Sequence, residues 1–145
     1  FDLMHPGHIF HFEAAKKEGD ILVVTLTKDE HVNKGPGRPV FNQRLRSESV
    51  ASLACVDYVA LNQWPTAIDT ITKLKPDIYA KGADYENPDD DLTGKISDEE
   101  NAVRAAGGII HFTHEITLSS SEILNRHYTV YPDQAQDFLK KFRKK

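Results

Sequence analysis

The stretch FDLMHPGHIF (1–10) sets two imidazoles, His5 and His8, on either side of a Pro-Gly pair that opens an apolar, helix-like run. A helix N-terminus presents free backbone N–H groups and a partial positive charge, so it attracts anions. Gly7 lets a ligand approach the backbone. Imidazoles at that end donate hydrogen bonds to phosphate oxygens and carry positive charge when phosphate charge builds. Two other readings stand beside this one. One is plain helix capping with incidental histidines. The other is a metal site made of His5, His8 and His11. The i, i+3, i+6 spacing disfavours it, because the three rings drift around the helix.

Further polar groups recur along the chain. NKGPGRPV (33–40) carries Lys34 and Arg38 in a Gly/Pro loop after a strand, where ligand loops sit in open parallel sheets. Its two cations suit a phosphate clamp; a solvated turn is the alternative. Arg44 and Arg46 lie near the start of the next helix, against its dipole, so either a nearby anion or plain solvation explains them. KGADY (81–85) places Asp84 just past a strand, where a carboxylate can bind a nucleobase, ribose or metal, or simply shape a turn. In SSSE (119–122), a capping box accounts for Ser119 and Glu122 but not for Ser120 and Ser121, whose hydroxyls would join a second anion site at a helix start. Taken together, two helix N-termini, several cations and a Gly-rich loop describe a site for a highly phosphorylated ligand such as a nucleotide.

The elements that must hold these groups alternate. Helices are expected at about 7–17, 42–54, 65–75, from the Ser97/Glu100 capping box to Gly107-Gly108, after Ser119, and over 132–145. Leu45, Val50, Leu53 and Ala54 form the expected core face of the second. Strands are expected at 21–26, 57–62, 78–82 and 108–113. ILVVTL (21–26), apolar and β-branched throughout, reads as a strand covered on both faces. The fold class is therefore α/β, a Rossmann-like parallel sheet with helices on both faces. The alternation opens at a helix, so the first strand is expected to precede Phe1, with Phe1-Asp2 as its last residues. Residues 86–100 hold seven acidic residues against one Lys with no apolar period, which reads as a mobile surface loop.

The totals restrict the function classes. A chain of 145 residues suggests one domain, taken as 1–130, with 131–145 a C-terminal helix or linker. A net charge of −4 argues against a nucleic-acid partner. No apolar run approaches the roughly 20 residues that span a bilayer, so no membrane partner is expected. The single cysteine, Cys55, excludes an internal disulfide, fits a cytoplasmic location and reads as a buried small hydrophobe.

FDLMHPGH resembles the G-x-F-D-x-x-H-x-G-H signature of the cytidylyltransferase-like nucleotidyltransferases, and SSSEIL their late S-[ST]-[ST]-x-[IL] motif. Within that superfamily, GRPVFNQRLR, VDYV, KPDIYAKGADY and AAGGIIHF resemble stretches of the nucleotidyltransferase domain of bifunctional ADP-heptose synthases. Glycerol-3-phosphate cytidylyltransferases are also similar, but His114 and Thr117-Leu118 depart from their R-T-x-G-I-S-T-T signature. The resemblance implies transfer of NMP from an NTP, with ATP favoured over CTP, to a sugar phosphate, with Mg²⁺ and release of pyrophosphate. A CTP-dependent polyol-phosphate enzyme and a non-catalytic nucleotide-binding module are the alternatives. It also implies roles. His5, His8 and Lys34 act on the reacting phosphates. Phe1, Asp2, Gly7, Asp84, Ser119, Ser120 and Ser121 form the nucleotide site. Arg38 and Arg46 meet the substrate phosphate. A homodimer, and fusion to a sugar kinase domain, are implied as well.

Overall fold

The expected alternation is present in the computed structural model, which describes residues 1–35, 37–86 and 96–114 together with Ile123. Its elements are α1 (Pro6–Lys17), β1 (Val23–Thr27), α2 (Gln43–Ala51), β2 (Tyr58–Asn62), α3 (Ile68–Leu74), β3 (Ile78–Gly82), α4 (Ile96–Ala105) and β4 (Ile109–Thr113). Short 3₁₀ turns follow β1 at Asp29–His31 and β3 at Ala83–Tyr85. Ser119, Ser120 and Ser121, the acidic stretch 87–95 and the expected helix at 132–145 lie outside the described residues.

All pairing among the described residues is parallel, as an α/β alternation requires. β1 pairs with β2, with Val23 opposite Tyr58 and Thr27 opposite Asn62. β3 pairs with β4, with Ile78 opposite Ile109 and Gly82 opposite Thr113. Among the described residues no ladder joins the two pairs. Side chains of α1 connect them instead. Lys16 bonds Asp57 at the start of β2 at 2.6 Å, while His11 reaches Thr113 of β4 at 2.6 Å. Glu18 lies 3.8 Å from His111, also in β4. The helix that begins with His-Pro-Gly-His is thus the strut between the two strand pairs.

The main core forms where these elements meet. Phe12 of α1, Val24 and Leu26 of β1 and Val50 of α2 make one buried cluster, with Met4, Leu22, Leu53, Cys55, Val56, Val59 and Leu61 packed against it. Burying each large side chain contributes about 1.5–3 kcal/mol. β1 alternates rather than being covered throughout: Val24 and Leu26 are buried, while Val23 and Thr27 are exposed. This is the period-2 pattern of a strand with one face on the core.

Three other expectations change. α2 starts at Gln43 because Asn42 is its cap, the Asn42 Oδ1 accepting the Leu45 N–H at 3.0 Å. Such a cap contributes about 1 kcal/mol. Leu45 is 46% exposed and Ala54 is also exposed, whereas Arg46 is only 4% exposed. Neighbouring helix residues point about 100° apart, and the polar acceptors beyond β1 draw Arg46 inward at the expense of Leu45. α4 begins at Ile96, so Ser97 lies inside its first turn rather than capping it. Its other end matches expectation. Gly107, at φ 92°, donates to the Arg104 carbonyl and Gly108 to that of Val103, the paired bonds of a left-handed helix stop.

The acidic run is not a surface loop throughout. Its last residues, 96–100, belong to α4, and Glu99 is 7% exposed, 2.6 Å from Lys81.

Candidate functional site: paired imidazoles at a helix start

Pro6 occupies the first turn of α1 and fixes its entry. His5 is the N-cap, with extended backbone (φ −147°, ψ 165°), and its carbonyl accepts the His8 N–H at 2.9 Å. Its side chain makes no cap hydrogen bond. The His5 ring stacks on the His8 ring instead, with centroids 3.7 Å apart and planes 22° from parallel. Phe1 meets His8 edge-on at 4.9 Å and leans on Phe12 at 4.8 Å, which anchors the pair to the core. Gly7 is buried within the same turn.

Both rings are starved of partners. His5 Nδ1 and Nε2 and His8 Nδ1 are buried and bond nothing among the described residues. Buried polar atoms are nearly always paired in a folded chain, so three such nitrogens side by side are free to meet a polar partner beyond the described residues. Burial first, and then the neighbouring His5, push the His8 pKa down to about 3; burial lowers His5 as well. The free site is therefore neutral at its centre and poised to gain protons when negative charge arrives.

The charged candidates take different places. Asp2 is buried and faces the Gly/Pro loop: its Oδ2 accepts Arg38 Nε at 2.6 Å, and its Oδ1 accepts the backbone N–H groups of Val40 at 2.8 Å and Phe41 at 3.3 Å. Burial pushes the Asp2 carboxyl up, but the Arg38 and backbone hydrogen bonds outweigh it and hold the group below the usual carboxylate range. Arg38 keeps one buried nitrogen, Nη2, without a partner among the described residues. Arg46 Nη2 donates to the Thr27 carbonyl and to Asp29 Oδ1, each at 2.7 Å, and its Nε to the Phe41 carbonyl at 3.1 Å. Asp29 is thus the anion that offsets the unfavourable helix dipole. Arg44 pairs with Glu48 at 2.9 Å on the surface. Lys34 is exposed, bonds no described residue, and stands near enough to His8 for its charge to disfavour protonation there.

Asp84 lies in the 3₁₀ turn after β3. A Cβ at Gly82 would collide with the Asp84 carboxylate, so glycine lets that side chain fold back over the strand end. Asp84 also acts electrostatically on His11, which brings its turn to the flank of α1. The structure therefore gathers His5, His8, Gly7 and Phe1 at one helix start. Lys34, Asp2 and Arg38 lie along one side and Asp84 towards the other.

Sequence reasoning missed several neighbours. Asp29 and Thr113 gave no signal, being single polar residues beside strands. Lys81 was inside KGADY, yet its ammonium is spent on Glu99 and lies over the rings of Tyr85 (4.7 Å) and Tyr79 (5.5 Å). The Tyr79 hydroxyl donates to Glu99 at 3.3 Å; burial first, and then Glu99, raise its pKa. Among the described residues no group of three or more His, Cys, Asp or Glu is arranged to hold a metal ion. No helix among them is long and apolar enough to cross a membrane.

Comparison with known proteins places the chain in a family. The chain is 48% identical over 89 residues to "Bifunctional protein HldE" of Helicobacter pylori (strain P12), covering 60% of this chain and 19% of that protein. It is 44% identical over 87 residues to the protein of the same name in Trichlorobacter lovleyi, covering 59% and 18%. The chain thus spans about a fifth of the length of these curated relatives. The solved structure of the lipopolysaccharide core biosynthesis protein from Thermoplasma volcanium GSS1 superposes with a TM-score of 0.63 at 24% identity, covering 82% of this chain and 92% of that one. That likeness is one of fold. The profile of the cytidylyltransferase-like family matches residues 1–126, through every described site residue. The chain belongs to the cytidylyltransferase-like family of nucleotidyltransferases.

Proposed function

We propose that this chain transfers the nucleotidyl group of ATP to a sugar phosphate and releases pyrophosphate. The observation that carries the reading is the stacked His5–His8 pair, with three buried nitrogens unpartnered beside the N–H groups of a helix start. The nucleotide is taken to be ATP, and the acceptor a sugar phosphate, because the relatives are HldE proteins and because His114 and Thr117-Leu118 depart from the glycerol-3-phosphate cytidylyltransferase signature.

In this reading an oxygen of the acceptor phosphate attacks the α-phosphorus in line. A new P–O bond forms as the bond to the β-phosphate oxygen breaks, and pyrophosphate leaves. No protein nucleophile takes part; catalysis is positioning and charge stabilisation. His5 and His8 donate hydrogen bonds to the reacting phosphates and gain positive charge as charge develops. Lys34, the exposed cation beside them, closes over the phosphates, and the unpartnered Arg38 Nη2 is the guanidinium nitrogen left for an anion. Arg46 acts from behind, holding the end of β1 and the loop at Phe41. Asp84 borders the nucleotide, and Ser119, Ser120 and Ser121 are assigned to the triphosphate by their motif. Mg²⁺ prefers several oxygen ligands, so it enters as the chelate of the triphosphate substrate. Fusion to a sugar kinase domain is part of the proposal, supported by the bifunctional name of the relatives, as is a homodimer, on the family resemblance alone.

The test is pyrophosphate release from the full-length protein with Mg²⁺, ATP and CTP in turn, against a panel of sugar and polyol phosphates. Release with ATP and a sugar phosphate is expected. Release only with CTP and a polyol phosphate would replace this reading with the cytidylyltransferase one. Nucleotide binding without release from any acceptor would favour a binding module.

A further inference from the structure

Pro6 and the Phe1 ring hold the first turn of α1 sterically, but no side-chain hydrogen bond within the turn does so. His5 caps without a side-chain hydrogen bond, no acidic residue lies in the turn, and the two imidazoles stack on each other rather than on a fixed polar partner. A stack aimed at phosphates must nevertheless be held within a fraction of an ångström. A polar tether lies one turn further on.

His11 follows His8 by three residues, so it sits on the same side of the helix. Its Nδ1 lies 2.6 Å from Oγ1 of Thr113, the last residue of β4. Thr113 is 4% exposed, and its hydroxyl also lies 3.3 Å from the carbonyl oxygen of Lys81 in β3. A hydroxyl has a single proton to give. Both contacts are satisfied when the His11 Nδ1–H donates to Thr113 and Thr113 donates to Lys81, which fixes the His11 tautomer. Among the described residues this is the one hydrogen-bonded chain that runs from α1 across both β4 and β3. It ends three residues from Asp84, whose charge acts on His11.

Resting on the phosphate-site reading above, we propose that His11 is a positioning residue: through Thr113 it fixes the rotation of α1, and with it the direction in which the His5–His8 stack faces the ligand. The family motif ends at His8, so nothing in the signature assigns His11 a role. The same tether links the imidazole pair to the Lys81–Asp84 end of β3, so that the two sides of the site move together.

The test compares Thr113→Val, which keeps the shape and loses the hydroxyl, with Thr113→Ser, which keeps it. In the full-length protein labelled with ¹⁵N-histidine, T113V is expected to abolish the His11 Nδ1–H tautomer and to shift the ring resonances of His8, while T113S leaves both in place. In turnover, T113V is expected to lose about tenfold in kcat with the KM for triphosphate within about twofold, and T113S to stay within about twofold of the parent, since a misplaced group costs rate rather than binding. The inference is overturned if His8 resonances and kcat are unmoved in T113V, or if T113S loses as much as T113V. If T113V fails to fold, His11→Asn, whose amide N–H can reach Thr113, against His11→Phe supplies the same contrast. If the parent protein shows no turnover at all, the proposed function fails by itself, and the imidazole spectra alone still decide the role of His11.

Discussion

The Asp2 carboxylate and the Arg38 guanidinium form an ion pair at 2.6 Å in which both side chains are almost wholly buried, 6% and 2% exposed. The pair fastens the Gly/Pro loop to the residues just before the His-Pro-Gly-His turn, and Asp2 adds two backbone hydrogen bonds from the same loop. Removing one partner of a buried pair leaves an uncompensated charge. Asp2→Ala is therefore expected to lower stability by about 3 kcal/mol, read from urea denaturation. A loss below about 1 kcal/mol would show that the pair is not closed as described.

Arg46 is a second buried cation whose geometry matters more than its charge. It uses two nitrogens to hold the Thr27 carbonyl, Asp29 and the Phe41 carbonyl together. A lysine ammonium cannot span that fork. Arg46→Lys should cost about 2 kcal/mol, with thermal melting as the check. A variant as stable as the parent would mean that the charge alone suffices.

The buried imidazoles make stability depend on pH, and the sign follows from the direction of their shifts. His8 falls from 6.5 to about 3 on folding, and His5 and His11 are lowered too. Below the unfolded value the unfolded chain binds more protons, so stability falls as the pH drops from about 6.5 towards 3. The melting temperature should decline between pH 7 and pH 5, and less steeply in His8→Asn. Parallel curves for the two proteins would contradict the burial of His8.

The same shift predicts proton uptake on binding. Polyphosphate charge beside His5 and His8 reverses the preference for the neutral ring, so triphosphate binding near pH 6 should draw protons from the buffer. Calorimetry in two buffers of different ionisation enthalpy would show different apparent binding heats. Equal heats would place the phosphates elsewhere.

Much of the fold could be read from residue order, because apolar runs and Gly/Pro breaks fall where strands, helices and turns begin and end. β3 occupies 78–82 as expected, and the Gly107-Gly108 stop ends α4 through the bonds that its left-handed glycine allows. The misjudged details were tertiary. Leu45 and Arg46 are neighbours on one helix, and only the acceptors at Thr27 and Asp29 decide that the arginine turns inward. Glu99 reads as one more charge in an acidic run, because Lys81, its partner, lies on a strand 18 positions earlier. In the site, the family signature singled out His5, His8 and Gly7. It could not show that Arg38 is occupied by Asp2, that Arg46 is occupied by Asp29, or that His11 is tied to Thr113. Such pairings depend on how loops close in space, which spacing along the chain does not encode.

On the proposed function, the paired imidazoles serve transfer of the nucleotidyl group and not only the binding of a nucleotide. The most direct measurement compares His8→Ala with the parent protein, reading pyrophosphate release and triphosphate affinity side by side. Turnover is expected to fall by about 10²–10³-fold, while affinity changes by less than about tenfold. Equal losses in both, or unchanged turnover, would contradict the account.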